Sequence, residues 1–184
     1  MRAHTAPFAL VGGLAVSART EPRFTRDVDL AVRVAADSDA EALIRALLAR
    51  GWRVLAQVEQ EATGRLATVR LAPPEGVPAG KVVVDLLFAS SGVEPELVSA
   101  AEPLEVLEGV TVPVATTSHL LALKVLSNDP VTRPQDLVDA RGLLAIASPS
   151  ELEETRSLLS RIRERGFHRG KALLEELEAL LQST

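Results

Sequence analysis

The stretch LVGGLAVSARTEPRFTRDVDLAV, from Leu10 to Val32, decides how this 184-residue chain is read. An apolar run reaches the pair Gly12-Gly13, and LAVSA then allows one or two turns of helix. An arginine-bearing connection follows, and then DVDLAVRV, where Asp27 and Asp29 sit one residue apart inside a second apolar run. The alternation predicts a strand over Asp27 to Val34, with Val28, Leu30, Val32 and Val34 on one face and Asp27, Asp29, Ala31 and Arg33 on the other. Side chains two apart on a strand share a face, roughly 6.5–7 Å apart at their bases. Two carboxylates so placed repel each other, and each is costly to bury unpaired. A divalent cation resolves that conflict. Mg²⁺ takes one or two carboxylates with phosphate oxygens and water, and two ions about 3.5–4 Å apart can stabilise both the attacking and the leaving oxygen of a phosphoryl displacement.

A third carboxylate strengthens this reading. Asp85 interrupts KVVVDLLFA, the most β-branched run of the chain and so an expected central strand. If that strand lies beside Asp27–Val34 in one sheet, Asp85 joins the pair. Taken singly, each aspartate also suits a solvated sheet face or a strand end; for all three together that account is poor. The glycine pair lets backbone come close to a ligand, and a helix N-terminus after it favours a phosphate, although such a pair is more often a plain turn.

Composition narrows the function classes. Hydrophobic residues make up 47% of the chain, enough for a real core. No apolar run approaches the roughly 20 residues of a membrane span, and MRAHTAPFAL lacks the long apolar segment of a signal peptide. A cytoplasmic protein with no membrane partner is expected. There is no cysteine, which excludes disulfides, thiolate metal sites and cysteine nucleophiles. His4, His119 and His168 show no metal-ligand spacing. A formal charge of -5 argues against a general nucleic-acid binder. Arg19, Arg23 and Arg26 still form a local basic cluster beside the aspartates, which suits an RNA or nucleotide acceptor about as well as it suits solvated loop arginines.

Further elements follow from pattern. SDAEALIRALLARG reads as a helix with a capping box of Ser38 and Glu41 and a stop at Gly51. WRVLAQVEQ and GRLATVRLA read as strands joined near Thr63-Gly64, and PPEGVPAG as a loop. A short helix is expected around Glu94 to Ala101, and LEVLEGVTVPVA is expected to be a hairpin turning at Glu108-Gly109. Four helical segments then follow from Thr117, the third capped by Ser148 with Pro149 and Glu151. The expected fold is α/β (α+β), a mixed sheet with flanking helices followed by a C-terminal helical bundle. The division is a core over residues 1–116 and a helical region over 117–184.

Gly12-Gly13, Arg23, Thr25, Asp27, Asp29 and Asp85 together resemble the nucleotidyltransferase superfamily of the DNA polymerase β type. LVGGLAV…RFTRDVDLAV is similar to its branch of AbiEii-like toxins of type IV toxin–antitoxin systems and related minimal nucleotidyltransferases. HLLALKVLS…RPQDLVDARGLL resembles that branch's helical segment, with Lys124, Arg133, Asp136 and Asp139 at the matching positions. The resemblance implies that Asp27 and Asp29 bind Mg²⁺ (or Mn²⁺), with Asp85 as third carboxylate able to help activate the acceptor. It implies that Gly12 and Gly13 shape the triphosphate loop with Thr25 and Arg23 nearby, that Lys124 pairs with phosphate, and that Asp136 or Asp139 holds Lys124 or contacts the nucleotide. The expected activity is metal-dependent transfer of an NMP from an NTP to a hydroxyl of a tRNA, a protein or a small molecule. The chain would then be either a toxin with an antitoxin protein as partner or, alternatively, a catalytically weak binding module of the same fold.

Overall fold

The computed structural model describes residues 6–25, 27–60, 64–76, 82–129 and 131–183. The stretch that opens the chain folds as β1 (Phe8–Val11), α1 (Gly12–Arg19) and β2 (Asp27–Val32). Then come α2 (Asp37–Leu48), the antiparallel pair β3 (Arg53–Glu59) and β4 (Leu66–Ala72), β5 (Val83–Leu87), α3 (Glu94–Ala100), and the hairpin β6 (Glu102–Leu107) and β7 (Val110–Val114). The chain ends in α4 (Thr117–Ser127), α5 (Pro134–Ile146), α6 (Pro149–Glu164) and α7 (Leu173–Gln182).

Among the described residues the seven strands form one mixed sheet in the order β3-β4-β5-β2-β1-β7-β6. The β5–β2 and β1–β7 pairings are parallel, and the other four are antiparallel. β5 is therefore an interior strand, as its β-branched composition requires. The alternation of β2 is realised in packing. Leu30, Val32 and Val34 join Val69, Leu71, Val84 and Leu86 in a cluster closed by Leu43, Ile44 and Leu47 of α2. Val28 packs instead against the larger cluster, which runs from Ala9, Leu10 and Val11 of β1 through Leu120, Leu121 and Val125 of α4 to Leu158, Leu159 and Leu177 of the last two helices. One apolar core thus crosses from the sheet into the C-terminal helices.

Local rules explain the start of α6. Ser148 accepts from the Glu151 amide while the Glu151 carboxylate accepts from the Ser148 amide, and Pro149 opens α6. α2 departs from its expected cap. It begins at Asp37, and Asp39 rather than Glu41 accepts from the preceding Ala36 amide, at 3.2 Å. Asp37 is drawn across the molecule instead, accepting from Arg65 Nε at 3.1 Å and the Leu66 amide at 3.2 Å, so a tie to the β3–β4 hairpin sets the helix start. Of that hairpin's expected Thr63-Gly64 turn, Thr63 lies outside the described residues, and the Gly64 amide donates to the Gln60 carbonyl.

The turn after β5 is held by Glu94, whose buried carboxylate accepts from the Ser90 and Ser91 amides at 2.8 and 2.6 Å. Gly92 in this turn has φ +75°, and a Cβ there would lie 2.6 Å from the Phe167 ring. Phe167 fixes the connection between α6 and α7, and Arg165 donates to the Gly92 carbonyl beside it. Gly92→Ala is therefore expected to destabilise the chain by about 1–3 kcal/mol through both backbone strain and overpacking, read as a lowered melting temperature with the far-UV spectrum unchanged.

Candidate active site

Sheet register builds the site. Asp29 of β2 is the partner of Asp85 on β5, Asp85 is the partner of Arg70 on β4, and Asp29 is also the partner of Val11 on β1. Register partners share a face, so Arg70, Asp85, Asp29 and Val11 form a row across four strands, with Asp27 two residues along on the same face. The α2 cluster occupies the opposite face, because neighbours along a strand alternate. Val11, Asp27, Asp29 and Asp85 of this row line a cleft of about 530 Å³, together with Gly12, Gly13, Arg23, Thr25, Lys124 and Asp136. Asp139 lies just beneath it, 3% exposed.

The glycine pair has a steric reason. Gly12 has φ +67°, and a Cβ there would sit 1.9 Å from Asp29 Oδ2. A Cβ on Gly13 would sit 2.6 Å from Arg23 Nη2 and 3.2 Å from Thr25 Oγ1. The start of α1 is thus pressed directly against the side chains expected to bind the ligand.

The three aspartates differ in environment. Arg70 forks onto Asp85, with Nε to Oδ1 at 2.8 Å and Nη2 to Oδ2 at 2.6 Å, and also lies 3.8 Å from Asp27. That hydrogen-bonded pairing, more than any other cause, pushes Arg70 above its ordinary value. Among the described residues no hydrogen bond or ion pair reaches the Asp29 carboxylate. Burial, and after it the charges of Asp85 and Asp27, raise its pKa from 3.8 to about 6, against the opposing pull of Lys124 and Arg133. Asp29 thus carries the uncompensated charge of the row.

Beside it runs a chain of alternating charges. Lys124, 6% exposed, lies 2.6 Å from Asp136 and 2.8 Å from Asp139. Arg23 forks onto Asp139 with both contacts at 2.7 Å, Arg133 reaches Asp136 at 2.7 Å, and Ser127 donates to Asp136 at 2.9 Å. Burial alone would raise Asp139, but hydrogen bonds from Arg23 and Lys124 hold it below its ordinary value. Lys124 is therefore a buried cation held by both candidate aspartates. The basic cluster read from the sequence is dispersed. Arg19 turns to Glu102 and the Ala115 carbonyl, Arg23 alone lines the cleft, and Arg26 lies outside the described residues.

Sequence reasoning missed Arg70. Its signal was available, since Arg70 is a lone charge in the apolar strand LATVRLA just as Asp85 is in KVVVDLLFA. It also missed Arg169, which lines the cleft from the connection between α6 and α7, and no spacing pointed there. Among the described residues no three histidine or acidic side chains are arranged to hold a metal ion by themselves. No described helix is long and apolar enough to cross a membrane.

The family model for the nucleotidyl transferase AbiEii toxin of type IV toxin–antitoxin systems matches residues 2–183. The chain belongs to this family. It is a nucleotidyltransferase. No curated protein matches it in sequence. Among solved structures, the AbiEii-family chain is similar to the antibiotic-resistance factor ANT(2″)-Ia, with a TM-score of 0.50 and 20% identity over 97% of this chain and 89% of that one. It is also similar to JHP933 from Helicobacter pylori, with a TM-score of 0.42 and 14% identity over 98% of this chain and 88% of that one. The first of these likenesses is one of fold.

Two outcomes follow for the AbiEii-family chain. Because the folded-state pKa of Asp29 is about 6 against an ordinary 3.8, the folded state binds this proton more tightly. Its contribution to stability is complete at low pH and is lost as pH rises through 6. Without divalent cations, Asp29→Asn should be more stable than the parent by about 1–3 kcal/mol at pH 8 and show no advantage near pH 3.5, measured by urea unfolding. Lys124→Met should cost about 2–4 kcal/mol, because it strips a buried cation from two buried carboxylates. Arg133→Met, at a side chain 56% exposed, should cost under about 1 kcal/mol.

Proposed function

We propose that this chain transfers a nucleoside monophosphate from an NTP to a hydroxyl acceptor, releasing pyrophosphate, with Mg²⁺ or Mn²⁺ bound by Asp27 and Asp29. The observation that carries the reading is the carboxylate row. Asp29 stands beside Asp85 and Asp27 with no partner of its own among the described residues, and the backbone of Gly12 is pressed against it. This donor set fits a hard divalent cation that completes its coordination with phosphate oxygens and water. Such a cation would neutralise charge on the reacting phosphate.

The chain's own groups supply the rest. The Gly12–Gly13 backbone and Thr25 seat the triphosphate at the start of α1. Lys124 and Arg133 set a positive field over it, with Asp136 and Asp139 anchoring Lys124 in place. The acceptor oxygen bonds to the α-phosphorus as the bond to the pyrophosphate oxygen breaks, and the hydroxyl proton leaves to a carboxylate of the row. Arg70 holds Asp85 in that row, next to where the acceptor would enter. Family membership favours a toxin whose partner is an antitoxin protein, acting in the cytoplasm where NTPs and RNA are available.

Incubation with each labelled NTP, Mg²⁺ or Mn²⁺, and total RNA tests the reading. Label should move to an acceptor with the parent chain, and Asp27→Ala and Asp29→Ala should each lower transfer at least about a hundredfold. Metal with NTP should also raise the parent's melting temperature. If the chain is toxic on expression, a toxic Asp29→Ala protein would favour the binding-module reading over catalysis.

A further inference from the structure

The cleft does not end at the carboxylate row. Thr68, Ser90 and Arg169 line both the cleft and a second cavity of about 830 Å³. That second cavity lies between the β3–β4 hairpin, with Val58, Glu59 and Gln60, and the α6–α7 connection, with Gly166, His168 and Gly170. Arg169 therefore stands at the junction of the two spaces.

Its setting differs from that of the other cations in the cleft, Arg23, Lys124 and Arg133, and from that of Arg70 beside Asp85. Arg23, Arg70, Lys124 and Arg133 each contact a carboxylate. Arg169 Nη2 donates to the Ser90 carbonyl at 3.1 Å and approaches Ser90 Oγ at 3.4 Å, and no carboxylate among the described residues pairs with it. Glu94 is the nearby anion, but its Oε1 already accepts from the Ser90 and Ser91 amides. The backbone at Arg169 has φ +54°, the one positive φ outside glycine among the described residues, with Gly166 and Gly170 also positive on either side. A strained turn thus presents a guanidinium with no ion-pair partner among the described residues to a cleft already lined by Arg133, with Glu94 near it and Glu59 across the second cavity. Arg169 keeps an exposed surface, yet loss of solvent around it, and after it the charge of Arg133, push it below its ordinary value against the opposing pull of Glu94, and an anion between the two guanidiniums would offset their repulsion.

We infer that Arg169, together with Arg133, forms a phosphate-recognition subsite at the junction of the cleft and the second cavity. The subsite rests on the nucleotidyl-transfer reading of the cleft. A guanidinium offers paired donors that match phosphate oxygens. The phosphate has two sources here, the polyphosphate of the NTP or a phosphate of an acceptor lying in the second cavity.

Arg169→Gln tests it, since glutamine keeps a donor for Ser90 but removes the charge. Two probes are bound without turnover: magnesium tripolyphosphate, and a fluorescein-labelled mixed-sequence single-stranded RNA dodecamer. Arg169→Gln should weaken at least one probe about tenfold, and Arg169→Lys should recover part of the loss. A loss for tripolyphosphate assigns the subsite to the NTP. A loss for RNA alone, with a salt dependence shallower by about one ion, assigns it to the acceptor. The inference is overturned if the parent binds neither probe or if Arg169→Gln binds both within twofold of the parent. It is also overturned if the loss comes with a lowered melting temperature and Arg169→Lys restores nothing, which would make Arg169 a tether. A chain that transfers nucleotide yet keeps both affinities in Arg169→Gln sinks this subsite alone. A chain that transfers none, yet loses anion binding with Arg169, sinks the reaction and leaves the subsite.

Discussion

Asp27, Asp29 and Asp85 share one face of the sheet, and their mutual repulsion is the constraint around which the rest of the molecule is arranged. Strand register imposes it: β2 and β5 run parallel with Asp29 opposite Asp85, and no rotamer can take both carboxylates far apart. Two kinds of compensation surround the row. Arg70, from the neighbouring strand, neutralises Asp85 through a forked pair. Asp29 receives only the long-range pull of Lys124 and Arg133, which burial and then the charges of Asp85 and Asp27 outweigh, so that its pKa is raised to about 6. The protein thus keeps one carboxylate of the row quiet and one poised.

The cations that temper Asp29 are themselves fixed by anions further out. Arg133, Asp136, Lys124, Asp139 and Arg23 form a chain of alternating charge, three cations against two carboxylates, linking α4, α5 and the connection before β2. Because Asp136 and Asp139 lie one helical turn apart, both reach the single ammonium of Lys124. Isolated, either buried aspartate would be costly; shared between cations, they lock the helical region onto the sheet at the cleft. The apolar core that passes from β1 into α4, α6 and α7 gives this ionic joint a rigid backing. Arg23, Lys124 and Arg133 thereby line the same cleft as Asp27, Asp29 and Asp85.

Much of this was legible in the chain itself. The two-residue period of DVDLAVRV and the β-branched run around Asp85 were enough to give the strands, their faces and an interior place for β5. RPQDLVDARGLL read as a helical segment whose family resemblance singled out Asp136 and Asp139, and Ser148-Pro149 with Glu151 marked the start of α6. These signals are local: period, turn chemistry and capping depend on residues within a few positions of one another. The start of α2 shows where such signals fail, because its cap was overruled by Asp37, whose carboxylate accepts a hydrogen bond from the Leu66 amide 29 residues away.

What the sequence determined by itself was therefore the set of elements, the face of β2 that carries charge, and the family to which the chain belongs. Only the tertiary structure decided which charges meet. Arg70 and Asp85 are 15 residues apart and Arg23 and Asp139 are 116 apart, and nothing in their spacing announces the pairing. The fate of the arginines followed from the same fact. Arg19 was drawn away to Glu102, while Arg169, near the far end of the chain, was brought to the mouth of the cleft. Local pattern reports what each segment can become, whereas electrostatic partnership falls off with distance through space, and only the packed sheet and helices set those distances.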